Sequence, residues 1–218
     1  MITVTGKGSI HVVPDVTRLD TTIELWFQTY DEAYAQARIN SEWFVKILEY
    51  NKKSGKLAKT IKFDISDFEE NEYDKKGNYI GKVKKGYSLT QRVKIDLGID
   101  NVLVNNIVRG IGKFINGAQV NIGYTVQDPR PHQLKMIARA CKDAKEKAEI
   151  MADALGCTVG EIESIKYDER GVHIYSQARN IHSSKEALSS TPDSLDITPD
   201  DLAMSDTVEV SFKLVNPA

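Results

Sequence analysis

Four histidines, His11, His132, His173 and His182, and two cysteines, Cys141 and Cys157, have the strongest claim to ligate a metal or act as nucleophiles. Their spacing argues against both. No histidine completes an HExxH pattern and neither cysteine belongs to a CxxC pair, so no tetrahedral N/S ligand set is placed. His173 and His182 share one irregular stretch, but spacing supplies no third ligand, and exposed loop histidines are the expectation. The carboxylates Asp64, Asp67, Glu69, Glu70, Glu72 and Asp74 suggest calcium. Setting Gly77 as the turn glycine of an EF-hand loop puts Lys76 at a ligand position and Val83 where a bidentate Glu must stand. The loop fails, and a charged hairpin accounts better for the cluster. There is no GxSxG nucleophile elbow. Cys141 is expected on the buried face of a helix, where thiols are inert. Cys157 lies away from the positive helix end that would activate a thiolate. Asp15, after Pro14, is expected to order a turn. No catalytic residue, metal set or cofactor is expected, although a site assembled from non-local residues stays open as the alternative.

The pair Gly6 and Gly8 invites a phosphate-cradling loop, which needs a helix opening directly after it. No helix opens here. Ile10, Val12 and Val13 are β-branched, and Pro14 holds Val13 extended. From Thr17 the chain alternates through Leu19, Thr21, Ile23, Leu25 and Phe27, the period of a half-buried strand, with Trp26 the large exception on the polar face. Gly6 and Gly8 are therefore expected at a bulge or bend of an N-terminal strand, where φ > 0 is easily reached.

The elements that follow are mostly well signposted. Thr29 and Glu32 form a capping box for a helix that buries Ala33, Ala37, Phe44, Ile47 and Leu48, with Gly55 as its stop. Ile61, Phe63 and Ile65 begin a strand, and Asp74 to Asn78 has turn chemistry. GYSLTQRVKIDL, from Gly86, buries Tyr87, Leu89, Gln91, Val93, Ile95 and Leu97 on one face. Asp100 caps a short helix ending around Gly110 or Gly112, and Ala118 to Val126 alternates as a strand. Pro129 or Pro131 opens the longest helix, which stops at Gly156. Its apolar face includes Leu134, Ala138, Cys141, Ala148, Met151 and Leu155, and Ala140, Ala144, Ala148 and Ala152 recur every four residues, allowing close backbone approach. A strand around Glu161 to Asp168 comes next. Residues 171–206 lose periodicity and are expected to be irregular or mobile. Val208, Val210, Phe212 and Leu214 close the chain. The order points to α+β: a largely antiparallel sheet against one long Ala-rich helix and two shorter ones, in one domain of two halves, about 1–98 and 99–218.

With 218 residues, 41% hydrophobic and 28% charged, the chain is long enough for a sizeable core. A net charge of -2 exerts no global pull on nucleic acid, and Lys82, Lys84, Lys85, Arg92 and Lys94 read as a solvated strand edge. No apolar run approaches the ~20 residues that span a bilayer. Met1 leads straight into a strand pattern without a basic or apolar leader, so the expectation is cytoplasmic, or periplasm and envelope if an export signal has been removed. Cys141, inside the longest helix, and Cys157, just past its end, stand roughly 20 Å apart if that helix is continuous, too distant for a disulfide, which needs Cα atoms within about 7 Å.

Four stretches in order resemble the SIMPL-domain family: ITVTGKGSIHVVPD at the start, GYSLTQRVKIDL, ARACKDAKEKAEIMADALGCTVGEI and the closing TVEVSFKL. The residues that match its pattern are Gly6, Gly8, Pro14, Asp15, Gly86, Tyr87, Ala144, Ala148, Leu155 and Gly156, all assigned structural roles. The resemblance implies a mostly bacterial α+β family without established enzymatic activity. Some members are implicated in stress tolerance, and at least one is an envelope protein that assembles into a large ring. The expectation is a non-enzymatic protein that self-associates or binds a protein partner, as a homo-oligomer, without nucleic acid.

Overall fold

The computed structural model describes residues 1–168, 176–182 and 199–216, the backbone alone for 176–182. In chain order the elements are β1 (Ile2–Val12), β2 (Val16–Phe27), α1 (Tyr30–Tyr50), β3 (Ala58–Tyr73), β4 (Tyr79–Gly98), α2 (Asn101–Phe114), β5 (Ala118–Thr125), α3 (Arg130–Ala154), β6 (Thr158–Lys166), β7 (Ser176–His182) and β8 (Leu202–Val215). The fold is α+β, with two antiparallel sheets, ordered β1-β8-β6 and β3-β4-β2-β5-β7. Two compact units result, and they are not consecutive halves divided near residue 98. Long-range pairing is the reason, since the first strand takes the last as its neighbour. Within the stretch 171–206, Ser176–His182 forms β7 and Leu202 already opens β8. The greater part of it lies outside the described residues.

One unit holds β1, β8, β6 and α3. β1 pairs with β8 from Ile2↔Phe212 to Val12↔Leu202 without a register shift, so Gly6 and Gly8 mark no bulge, and neither has positive φ. They are glycines for a different reason. A Cβ on Gly6 would overlap the carbonyl oxygen of Ala140, and one on Gly8 that of Met136. The strand backbone touches the helix backbone there, with room only for Ala140, Ala144 and Ala148 beneath. That contact corrects the expected helix face. Of Leu134, Ala138, Cys141, Ala148, Met151 and Leu155, only Ala148 is buried, because the face that meets β1 follows the four-residue spacing of the alanines and the others lie off it. Met136 and Ala152 complete the buried stripe. Cys141 is exposed and Cys157 half-buried, and both are free thiols.

Charged side chains of α3 close the outer edge of β1. The Lys7 backbone N–H donates to Asp143 Oδ2 at 2.7 Å, Arg139 donates to the Ser9 carbonyl at 2.6 Å, and Lys147 Nζ to the Thr5 carbonyl at 3.1 Å. Lys147 also pairs with Asp143 at 2.7 Å, one helical turn away. These bonds hold the Asp143 carboxyl below the usual range, the Lys147 hydrogen bond contributing most and the Lys7 N–H next. At its far end α3 stops as expected: Gly156, at φ 71°, donates to the Asp153 carbonyl and Cys157 to that of Ala152. Pro14 is buried, and the Asp15 carboxylate accepts from the Gln127 N–H at 2.8 Å, ordering the turn.

The second unit packs α1 and α2 on the five-stranded sheet around Leu19, Ile23, Phe44, Val93, Ile95, Ile107 and Ile111. The capping box is formed: Glu32 N–H donates to Thr29 Oγ1, and Thr29 N–H to Glu32 Oε2. α1 ends before Gly55, since Lys52 adopts φ 57° and closes the helix with Lys53 on the Glu49 and Leu48 carbonyls. α2 continues through Gly110 and Gly112 to Phe114, because Gly110 seats the helix against Ile47. Gln91 stands where strand alternation calls for an apolar side chain. It is buried and joins Asn40 and Ser41 of α1 by hydrogen bonds at 3.5 and 3.0 Å. Such a satisfied pair fixes the helix's register on the sheet at little cost.

The backbone contact of β1 with α3 predicts that Gly6→Ala destabilises by about 3 kcal/mol, as the helix must move outwards. Ala148→Leu costs about 1–3 kcal/mol by the same overpacking. Urea unfolding of both variants measures this, and unchanged midpoints would mean the helix yields freely.

Candidate association surface

β3 and β4 form a long hairpin closed by the expected turn. Asp74 accepts from the Asn78 and Lys76 N–H groups, both at 2.8 Å, and the Asn78 N–H, then the Asn78 side-chain amide, do most to hold its carboxyl below the usual range. β2 accompanies β4 only as far as Phe27↔Tyr87. At that point Gly86 passes the Phe27 carbonyl so closely that a Cβ would overlap it. Past it, Phe68–Tyr73 and Tyr79–Gly86 continue as a two-stranded ribbon, a form with little stability of its own in water. Tyr87 anchors its base, edge-on to Tyr30 at 5.9 Å and beneath Lys84 Nζ at 4.0 Å.

β3 is an end strand of its sheet. Among the described residues, nothing hydrogen-bonds to its outer backbone edge, in contrast to the clasp that seals β1. Ile61 is 52% exposed and Phe63 48%, side by side on this strand. Further along, Trp26 leans on Phe68 at 6.0 Å, and Tyr73 meets Tyr79 at 6.0 Å. Lys84 pairs with Asp67 at 2.8 Å and Lys82 with Glu69 at 3.6 Å, so part of the basic run lies in cross-strand ion pairs. Hydrogen bonds to Asp67 and then Tyr87 push the Lys84 ammonium up. Charge along β3 is divided: Lys59 and Lys62 come first, then Asp64, Asp67, Glu69, Glu70 and Glu72.

The candidates for chemistry do not converge. Asp64 to Asp74 spread along one arm, His11 is on β1 and His132 on α3, and Asp15 serves a turn. His173 and the His182 side chain lie outside the described residues. No group of three His, Cys, Asp or Glu among the described residues could hold a metal ion. No helix there is long and apolar enough to cross a membrane.

A groove that sequence reasoning missed lies between α1 and α2, about 600 Å³ in volume and lined by Trp43, Lys46, Tyr50, Arg109, Lys113 and Phe114, among others. Trp43 and Phe114 stack at 4.3 Å with their planes 9° apart. The available signal was an aromatic beside a lysine on each helix, Trp43 with Lys46 and Phe114 with Lys113. Spacing within one helix could not say that the two pairs meet.

The family model for SIMPL, described as a protein of unknown function (DUF541), matches residues 2–212 of the chain. No curated protein matches.

On the sheet face away from α1, Arg18 grips Asp96 through Nε at 2.7 Å and Nη2 at 3.0 Å, with Lys94 3.7 Å away. Burial pushes the Asp96 carboxyl up, but the Arg18 hydrogen bonds and the charges of Arg18, Lys94 and Lys59 outweigh it and hold it low. The stabilisation is therefore present above the unfolded pKa of ~3.9 and lost as pH falls through the lower folded value. Asp96→Asn should cost about 0.5–1 kcal/mol near neutral pH, discounted because water still screens the pair. The gap to wild type should close on acidification below about pH 4, read by urea unfolding.

Proposed function

The chain belongs to the SIMPL family, and from that premise we propose that it works without catalysis, by pairing β3 with β3 of a second copy. The observation that carries this is the outer edge of β3, open among the described residues, on a chain whose β1 edge is sealed by Asp143, Lys147 and Arg139. Uncovered strand edges add strands from other chains unless charge, bulges or side-chain clasps block them.

The β3 sequence fits itself. Antiparallel pairing of identical strands is two-fold symmetric, so each contact occurs twice. It brings Lys59 and Lys62 of one copy to the acidic half of the other. With Phe63 opposite Phe63, Lys62 faces Asp64. The bulge between Thr60 and Lys62 leaves the central run from Lys62 regular. Ile61 and Phe63, half-exposed in the single chain, become covered, which supplies the hydrophobic part of the driving force.

Light scattering coupled to size exclusion, across a range of concentrations, tests this. Wild type should run at twice the chain mass or a higher even multiple, and Phe63→Lys at the mass of one chain with its thermal midpoint kept. Lys62→Asp and Asp64→Lys should each weaken association about tenfold, roughly 1.4 kcal/mol, and the double exchange should restore it by re-forming the pair across the axis. A wild type that stays monomeric at every concentration overturns the proposal.

A further inference from the structure

We propose that the groove between α1 and α2 is a binding site for a small amphipathic anion: a flat apolar body carrying a single carboxylate, sulfonate or phosphate head. The site lies apart from the β3 edge in sequence, and the inference does not depend on self-association.

Its size is the first support. About 600 Å³ lies within the range of small-molecule sites, ~300–1,000 Å³. The lining divides as such a ligand would require. Ile47 and Gly110 form an apolar floor, kept low because a Cβ on Gly110 would come 2.9 Å from the Ile47 side chain. The stacked Trp43 and Phe114 rings offer an aromatic wall, and Tyr50, 89% exposed, stands at the rim. An exposed aromatic rim over an apolar floor is uncommon on a surface that stays wet.

Charge is the second support. Lys46, Arg109 and Lys113 all line the groove, and no acidic residue does. Lys46 reaches Glu42 only at 4.0 Å, and that carboxylate also faces Arg38 at 3.7 Å. Lys113 makes no ion pair among the described residues. Its ammonium lies 5.2 Å from the Phe114 ring centroid, and that of Lys46 5.1 Å from Trp43. The cations thus stand over the aromatic wall itself. A ligand whose ring packs along that stack brings its anionic head within reach of the ammonium group at one end of it, where a charge-assisted hydrogen bond is stronger than a neutral one. A neutral ligand would fill the floor and offer the Lys113 ammonium no counter-charge. A long polyanion would gain the cations and leave the apolar floor uncovered.

The sequence provides a local reporter. Only two tryptophans occur, Trp26 and Trp43, so Trp26→Phe makes Trp43 the sole indole. In that background the probe is anilinonaphthalene sulfonate, an aromatic body with one sulfonate, compared with its uncharged relative phenylnaphthylamine. The expected result is saturable one-to-one quenching of Trp43 with energy transfer to the probe, at least tenfold tighter for the sulfonate. 2-Naphthoate, a flat body with one carboxylate, should displace it, and failure to do so would count against the inference. Adding Lys46→Glu and Lys113→Glu, both exposed, should weaken sulfonate binding more than tenfold while circular dichroism and the thermal midpoint stay as before. Equal affinity for the two probes would reduce the groove to an apolar patch and overturn the inference. So would sulfonate binding that leaves Trp43 unquenched, or that survives the double charge reversal. Trp43 emission that shifts with protein concentration before any probe is added would assign the groove to a second copy instead, and also overturn it.

Discussion

Gly6 and Gly8 let the backbone of β1 rest on the backbone of α3, and the rest of that unit follows from this contact. Because a Cβ on either glycine would overlap a helix carbonyl, the helix can present only methyl groups to the strand, and Ala140, Ala144 and Ala148 do so. Met136 enters at one end of this four-residue stripe, while Leu134, Met151 and Leu155 lie off it and stay exposed. Closeness also brings short side chains within reach. At an ordinary helix–sheet spacing Asp143 could not accept from the Lys7 N–H at 2.7 Å. Close packing and edge protection are one arrangement here.

The five-stranded sheet solves the edge problem differently at its β3 end. Its helices cover Leu19, Ile23, Val93 and Ile95 at the centre, and the Asn40–Gln91 bond fixes where α1 lies on them. The hairpin of β3 and β4 then runs past the end of β2, and β3, as the end strand, presents half-exposed apolar side chains and an outer backbone edge without a partner among the described residues. Isolated hairpins are marginal in water, so a ribbon of this kind gains most from a partner. The charge division of β3 argues for a partner like itself, since opposite halves meet only when the copies run antiparallel.

The candidate surfaces were only partly legible in sequence. The acidic cluster was correctly read as a hairpin, because turn chemistry at Asp74 to Asn78 is local. That its first arm is an end strand could not be read, since alternation describes which face a residue occupies and not how many neighbours a strand has. The groove was hidden for a related reason. Trp43 and Phe114 belong to helices separated by two strands in sequence, and neither residue is unusual on its own helix.

Local matters were decided by the sequence alone. The Thr29–Glu32 box, the buried face from Leu89 to Leu97, the turn at Asp74 and the stop at Gly156 each depend on atoms within a turn or two of chain, or on a period that composition displays. Family membership was legible too, because four stretches stood in order. The tertiary structure decided which face of α3 is buried, why Gly6 and Gly8 are glycines, and which strand edge is sealed. Each depends on the distance between segments far apart in the chain, 136 residues for Lys7 and Asp143. A period reports a residue's direction from its own axis. It carries no information about how near the next surface stands, and here that nearness selects alanine over leucine.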